Sequence, residues 1–395
     1  MMRARPRAAA LPFAAALTMA PGVLAGCTSP VPFHRPGKPS PDDPVVGLGG
    51  PAPYLRARPD AKRPPSAPGP PAGGPVYAGT GPGMIAPHAR KLPPRIYVAN
   101  GRLIDVVDPG AVRVALRFST GAAASRVVPS WDLRRLWAVD REHDLLVPVR
   151  PRGGEPGRPV SVAGLTGLYF TPDGRDALVL AHRRVDVRDP RTMALRASVP
   201  MPCSAGHADF SSAGTSMIAT CTGAGTLARV DLTGRRAARA IPLPDGARPG
   251  DLRLSPDGAV FYVADAARGG VWLVDARRSA PPGFVPAAPG ARGLAISRNA
   301  RLLFVVGGGS VAAVDFRTRR VASRWPLPGG GSPVPGGVSS DGTALWLADP
   351  AGLVYAVSTR TGRVVRRIWV GGRPSGLCVH PQPGRYSLGG TGLYR

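Results

Sequence analysis

Lysine is nearly absent from this sequence of 395 residues, although the formal net charge is +27. Only Lys38, Lys62 and Lys91 contribute to its 51 basic residues, and the arginines are spread along the chain without a basic helix or a clustered stripe. Nucleic-acid binding is not expected, because it needs basic side chains gathered on one element or face. The arginine bias, with abundant Ala, Gly and Pro, is typical of a high-GC genome. The positive charge favours attraction to anionic lipid headgroups or cell-wall polymers.

Glutamate is scarcer still, with Glu142 and Glu155 as its only two representatives. The sequence also lacks the GxSxG, HExxH, CxxC, GxxxxGK[ST] and GxGxxG motifs of hydrolases, metalloenzymes and nucleotide-binding enzymes. These absences argue against hydrolytic or nucleotide-dependent chemistry. We therefore predict no catalytic residue and no cofactor.

The only long apolar run lies at the N-terminus, and it has the features of an export signal. Arg3, Arg5 and Arg7 precede an apolar stretch at 8–20 that is too short to span a bilayer comfortably. The following Leu-Ala-Gly-Cys, which ends at Cys27, resembles the bacterial lipobox. The resemblance predicts a signal peptide at 1–26, lipidation of Cys27, and anchoring to the outer face of the cell membrane, outside the cytoplasm. The alternative is a chance match with a free Cys27.

Proline dominates the next segment. Between Pro30 and Pro94 there are 19 prolines, few aromatics and no apolar periodicity. Such a segment buries too little surface to offset its ordering entropy. We expect residues 27–94 to form a disordered tether that reaches on the order of 100–200 Å.

The remainder, 95–395, repeats with a period near 42 residues. Each unit has an apolar run ending in Ser or Thr, a turn such as Pro-Asp-Gly, and further apolar runs, without helix signals. The turn-opening residues are Ser130, Thr171, Ser211, Ser255, Ser297, Ser339 and His380. This spacing predicts an all-β, seven-bladed β-propeller. The first unit lacks an innermost strand, and 376–381 is such a strand without partners, so the C-terminal strand is expected to close the first blade.

The repeat motifs YVAN, YVAD, SPDG and VVD resemble those of the YVTN-repeat (YncE-like) propellers of bacterial surfaces and periplasms. Two segments, CSAGHADFSSAG at 203–214 and CVHPQPGRYSLGGTG at 378–392, resemble one exported branch of that family. The family includes adhesins, substrate binders and a few enzymes, so the resemblance implies a fold rather than an activity. Relatives in the branch tend to carry histidine at the positions of Arg292, Ser375 and Gly390, so only His207 of such a histidine cluster is present here. The resemblance therefore implies no metal or haem site, because one histidine is too few for a three- or four-ligand set.

Candidate ligand-binding residues follow from the geometry of a propeller, whose innermost strands begin around the mouth of the central channel. Four residues before each turn lie Arg126, Gly167, His207, Asp251, Gly293, Pro335 and Gly376. Arg126, His207, Asp251 and the adjacent Arg292 are predicted to converge on a polar or anionic ligand. The second strands end on the same face, which adds His182, Asp140, Asp265 and Asp349. The alternative is that Asp265 and Asp349 cap turns and that His207 bonds within its own blade.

Three cysteines remain after Cys27. Cys221 faces about position 206 in the predicted hairpin, near Cys203, and an oxidising compartment favours a disulfide between them. The alternative is two buried thiols. Cys378, in an apolar strand, is expected to be a buried free thiol.

The leading functional hypothesis is a monomeric, non-enzymatic binding or scaffolding lipoprotein whose partner is an unknown protein or an anionic ligand of the cell envelope. One alternative is an enzyme of the lactonase or lyase type, which the scarcity of glutamate disfavours. The other is a degenerate relative of a metal- or haem-carrying propeller.

Overall fold

The computed structural model describes residues 76–234, 236–278 and 280–395, and in this part of the chain the protein is an all-β, seven-bladed β-propeller. The predicted fold is therefore confirmed. The predicted signal peptide, the lipidation site Cys27 and the tether as far as residue 75 lie outside the described residues.

Seven antiparallel sheets form the blades, and each has its innermost strand beside the central channel. The described part of the chain contains 30 strands: β1 (Arg95–Asn100), β2 (Leu103–Asp108), β3 (Arg113–Ser119), β4 (Arg126–Pro129), β5 (Leu136–Asp140), β6 (Leu145–Val149), β7 (Val160–Ser161), β8 (Gly167–Phe170), β9 (Ala177–Ala181), β10 (Arg184–Arg188), β11 (Leu195–Pro200), β12 (Ala208–Phe210), β13 (Ser216–Cys221), β14 (Thr226–Asp231), β15 (Arg236–Pro242), β16 (Pro249–Leu254), β17 (Val260–Asp265), β18 (Gly270–Asp275), β19 (Gly283–Pro286), β20 (Gly293–Ile296), β21 (Leu302–Gly307), β22 (Ser310–Asp315), β23 (Arg320–Pro326), β24 (Val334–Val338), β25 (Ala344–Asp349), β26 (Leu353–Ser358), β27 (Val364–Trp369), β28 (Gly376–His380), β29 (Ser387–Gly389) and β30 (Leu393–Tyr394).

Blade 1 contains β28, β1, β2 and β3, and blades 2 to 7 begin with β4, β8, β12, β16, β20 and β24. In 76–234, 236–278 and 280–395, two single-turn 3-10 helices, Thr222–Ala224 and Pro328–Gly330, lie in the connections. No helix among the described residues is long and apolar enough to cross a bilayer.

The C-terminal strand closes the propeller as the repeat count predicts. β28 pairs antiparallel with β1, and Tyr97 lies opposite Cys378. This pairing gives blade 1 the innermost strand that its own sequence lacks and removes an open sheet edge.

The repeated turn has a consistent chemistry, which blade 5 illustrates. Ser255 donates its hydroxyl hydrogen to Asp257 and accepts the backbone N–H of Val260 at 2.9 Å. Gly258 takes a positive φ of 72°, which few other residues tolerate. The strands on either side of this turn bury Leu252, Leu254, Phe261 and Val263 against blade 4, so local turn chemistry and core packing agree.

The last residues form an addition that the repeat does not predict. β29 and β30 make a hairpin whose residue Gly389 pairs with Tyr169 of β8, which extends blade 3 to six strands on its channel side. The terminal Arg395 is buried and forms an ion pair with Asp209 of β12. The C-terminal tail therefore occupies the central channel.

Residues 76–94 require a correction, because the sequence assigns them to the disordered tether. Val76 donates its N–H to the Pro256 carbonyl at 3.3 Å, and Gly83 does the same to Ser340 at 2.9 Å. The Tyr77 hydroxyl donates to the Leu254 carbonyl at 2.8 Å, and its ring is buried. We call residues 76–94 the strap. Its buried apolar side chains pack against the propeller, although the high proline content of residues 27–94 predicts disorder for the whole segment.

Candidate functional site

The propeller has an upper face and a basal face. On the upper face the innermost strands begin, and on the basal face they end in the repeated Ser or Thr turns. The strap crosses the basal face, since its partners Pro256 and Ser340 lie in those turns. The mouth of the channel on the upper face holds a cavity of about 400 Å³, which we call the channel pocket.

The structure brings four of the five predicted ligand-binding residues to the channel pocket: Arg126, His207, Asp251 and Arg292. Gly293, Pro335 and Gly376, identified by the same count from the turns, also line it. His182 does not line the pocket. It is exposed at the turn between β9 and β10, one strand further from the channel, where its Nδ1 lies 2.8 Å from the Ser204 hydroxyl.

The imidazole of His207 is held across the channel by another blade. Arg126 Nη2 lies 3.0 Å from His207 Nε2. A guanidinium has no acceptor, so Nε2 must carry the lone pair and the proton must reside on Nδ1. Burial first, and the charge of Arg126 second, lower the pKa of His207. The imidazole is therefore neutral, and its side chain does not bond within its own blade as the alternative prediction supposed.

Among the described residues, Asp251 provides the only carboxylate that lines the channel pocket, and its charge is already compensated. It forms an ion pair with the buried Arg253 and accepts the backbone N–H groups of Leu252 at 2.9 Å and Leu294 at 3.1 Å. Burial alone would raise the pKa of this carboxyl, but the charge of Arg253, the neighbouring His207 and the backbone N–H of Leu294 outweigh it and lower the pKa well below the usual range. His207 Nδ1 lies 3.5 Å away, which is too long for a strong hydrogen bond.

The uncompensated charge of the pocket comes from arginine. Arg248 and Arg292 each precede an innermost strand, and their side chains are exposed. Neither has a side-chain partner among the described residues. The count from the turns does not identify Arg248, because Arg248 lies seven residues before Ser255, whereas Arg292 lies five residues before Ser297. With Arg126, three guanidinium groups therefore line a pocket whose single carboxylate is paired.

The walls between these charges are apolar. Val127, Pro249, Val334, Pro335 and Leu377 line the cavity. The floor comes from the C-terminal tail, because Thr391 donates to Asp251 Oδ2 at 3.3 Å and its carbonyl accepts from Arg253 at 2.7 Å. The pocket is thus open at the upper face and closed below by the tail, with cationic side chains at its rim and an apolar wall.

The other acidic residues predicted for the upper face have a structural role. Asp265 accepts the backbone N–H of Ala267 at 2.8 Å and the indole N–H of Trp272 at 2.6 Å. Asp349 accepts the N–H of Ala351, and Asp140 accepts those of Ala123 and Glu142. All three carboxylates cap turns, as the alternative for Asp265 and Asp349 supposed. Within 76–234, 236–278 and 280–395, no three His, Cys, Asp or Glu side chains are grouped to hold a metal ion.

The three cysteines of the propeller occupy two environments. Cys203 and Cys221 form a disulfide with their Cα atoms 5.7 Å apart, which fixes the loop that presents His207 to the neighbouring strand. Cys378 is a buried free thiol, and burial raises its pKa to about 12.

The arrangement is poorly suited to acid–base catalysis. Arg126 occupies the lone pair of His207, so the imidazole has no free base directed at a ligand. The two glutamates, Glu142 and Glu155, do not line the pocket. The site can bind an anion, and its carboxylate, Asp251, is already paired with Arg253.

Comparison with known proteins supports the fold alone. No protein-family model matches this chain, and no curated protein matches it. Among solved structures, it is similar to a functionally unknown protein from Desulfotomaculum acetoxidans, with a TM-score of 0.56 and 14% identity over 72% of this chain and 98% of the other. It is also similar to Kuenenia stuttgartiensis hydrazine synthase, with a TM-score of 0.55 and 15% identity over 67% of this chain and 94% of the other. At these identities the chain is shown to be a seven-bladed β-propeller.

Proposed function

We propose that the protein is a cell-envelope lipoprotein, anchored through Cys27, whose propeller binds a small organic anion in the channel pocket without transforming it. The resemblance of its repeats to those of YVTN-repeat propellers and the lipobox-like sequence at Cys27 support the location. The ligand class is supported by the pocket.

One observation carries this proposal: Arg248 and Arg292 line the pocket and have no side-chain partner in the described part of the chain, while the carboxylate that lines it, Asp251, is paired with Arg253. Unpaired guanidinium groups around a concave site bind carboxylate or phosphate through charge-assisted hydrogen bonds. The apolar wall adds the requirement that the ligand have an apolar part as well as an anionic group. The cavity of about 400 Å³ is suited to a small molecule.

Isothermal titration calorimetry tests the proposal. The full chain with Cys27→Ser is titrated with inorganic phosphate, phenyl phosphate and hexanoate. We expect phenyl phosphate to bind more tightly than inorganic phosphate, because only the former places a ring against Val334 and Pro335. Removing one charge-assisted hydrogen bond, in Arg292→Ala, should weaken binding by about tenfold to a hundredfold.

The matched control is Arg373→Ala, which removes an exposed arginine of the same face outside the pocket. It should leave binding unchanged. Equal affinities for Arg292→Ala and the unsubstituted protein, or equal losses in Arg292→Ala and Arg373→Ala, would contradict binding in the pocket. Turnover of a lactone or a streptogramin that His207→Ala abolishes would instead favour the enzyme alternative.

A further inference from the structure

The basal face, opposite the channel pocket, carries two further cavities that the proposed function leaves unused. One, of about 450 Å³, lies between the turns of blades 2 and 3 and is lined by Arg134, Arg135, Arg191 and Trp131. The other, also of about 450 Å³, lies between blades 5 and 6 and is lined by Arg301, Arg317 and Arg319. Each cavity therefore gathers three arginines, all of them exposed. We call them the first and second basal cavities.

The carboxylates beside these arginines are engaged by their own turns. In the first basal cavity, Asp132 accepts the Ser130 hydroxyl at 2.6 Å and the backbone N–H of Arg134 at 3.2 Å. In the second, Asp257 accepts the N–H of Ala259 at 3.0 Å, and Asp315 accepts that of Thr318 at 2.8 Å. These hydrogen bonds direct the carboxylates into the backbone, whereas Arg134, Arg191 and Arg301 have no side-chain partner among the described residues. Both cavities retain positive charge.

The strap connects the two cavities. Val76 bonds to Pro256, which lines the second basal cavity, and His88 Nε2 lies 2.6 Å from the carbonyl of Asp132, which lines the first. Met84, midway along the strap, is 51% exposed. Val76, the first described residue, therefore lies at the rim of a basal cavity, on the face away from the channel pocket, and Cys27 precedes it in the sequence.

We propose that the basal face docks on an anionic lipid membrane, with lipid phosphate groups held in the two basal cavities and the Met84 side chain at the acyl boundary. Guanidinium groups match the geometry of phosphate oxygens, and arginines near an anionic bilayer are attracted to its surface potential. An anchor attached through the strap would keep this face near the membrane at high local concentration. The channel pocket would then open away from the membrane, toward soluble ligands.

Vesicle co-sedimentation tests this orientation. The full chain with Cys27→Ser, which has no lipid anchor, is mixed with phosphatidylcholine vesicles with and without phosphatidylglycerol. The basal variant combines Arg134→Ser, Arg191→Ser and Arg301→Ser. The matched control combines Arg102→Ser, Arg183→Ser and Arg373→Ser, which removes the same charge from exposed turns of the upper face.

We expect binding that depends on phosphatidylglycerol and falls as salt is raised. The basal variant should weaken it by about fivefold for each arginine lost, roughly a hundredfold in all, and the control should leave it nearly unchanged. Single variants, Arg134→Gln and Arg301→Gln, repeat the comparison with less risk to folding, which circular dichroism monitors.

Equal losses in the basal and control variants would show that net charge acts without a preferred face and would overturn the proposal. Absence of phosphatidylglycerol-dependent binding would do the same. Binding that soluble glycerol phosphate abolishes at equal phosphate concentration would identify the basal cavities as sites for a free phosphate ester rather than a membrane. Since none of these variants touches the channel pocket, phenyl phosphate titration of the same proteins separates failure of this proposal from failure of the proposed function.

Discussion

The terminal Arg395 is expected to be one of the most important single side chains for stability. Its guanidinium donates to Asp209 Oδ1 at 2.7 Å and lies 4.7 Å from the ring centre of Tyr77 in the strap. Asp209 is fully buried and otherwise accepts only the N–H groups of Phe210 and Leu254. Interaction with Asp209 and Tyr77 outweighs the cost of burial and raises the pKa of Arg395, so the charged form is favoured in the fold.

Arg395→Met removes the charge but keeps most of the volume. It leaves the Asp209 carboxylate buried without its cation, and breaking a buried pair in this way costs about 3–5 kcal/mol. Urea unfolding followed by tryptophan fluorescence measures the free energy of unfolding. Arg395→Lys, which preserves the charge but not the planar contact with Tyr77, should lower the free energy of unfolding by less than Arg395→Met does. The double variant Asp209→Asn with Arg395→Met should recover part of the loss, because no uncompensated charge remains.

The control is Arg373→Met, an exposed arginine for which we expect a change within about 0.5 kcal/mol. If the free energy of unfolding of Arg395→Met lies within that same margin of the value for the unsubstituted protein, the ion pair does not hold the tail in the channel. Additive losses in the double variant would likewise show that Arg395 and Asp209 do not interact.

Three further predictions concern pH and cysteine chemistry. Burial lowers the pKa of His380 from 6.5 to about 4, so between these pH values the unfolded chain binds a proton that the folded protein does not. The free energy of unfolding should therefore fall by about 3 kcal/mol as the pH drops from about 6.5 to 4. Urea unfolding of His380→Gln should show a smaller decrease over the same range. Replacing Cys203 and Cys221 by serine should cost about 3 kcal/mol, because the disulfide closes a loop with a sequence separation of 18; a variant as stable as the parent would contradict this estimate. Since the pKa of Cys378 is raised to about 12, iodoacetamide at pH 8 should leave it unmodified in the native protein, and mass spectrometry should find it labelled only after unfolding.

The sequence predicts the propeller because local turn chemistry repeats with the blades. Ser255 and its equivalents recur at intervals of 40 to 44 residues, and the position four residues before each one identifies the start of an innermost strand. This simple rule brings Arg126, His207 and Asp251 to one pocket, as the structure shows. It does not extend to His182, which lies at the end of a second strand, because those ends are a full strand spacing further from the channel.

The contributions of the two terminal segments could not be predicted in the same way. Residues 76–94 and 381–395 do not repeat, so no period indicates where they pack. Their contacts are remote in sequence: Tyr77 bonds to Leu254, and Arg395 pairs with Asp209. Composition gives the wrong prediction for the strap, because the prolines before residue 76 dominate the composition of 27–94. The packing of the strap is determined by a few apolar side chains.

The tail links the stability of the channel to the shape of the pocket. Arg395 fixes the end of the tail near the basal face, and Thr391, four residues earlier, contacts Asp251 and Arg253 at the pocket floor. A tail released from Asp209 would remove that floor and would leave the Arg253 and Asp251 pair open to the channel. Loss of Arg395 should therefore weaken binding of phenyl phosphate even though Arg395 does not line the pocket, whereas loss of the disulfide should act only through the loop that carries His207. The depth of the binding site is thus set by the non-repeating end of the chain rather than by the blades.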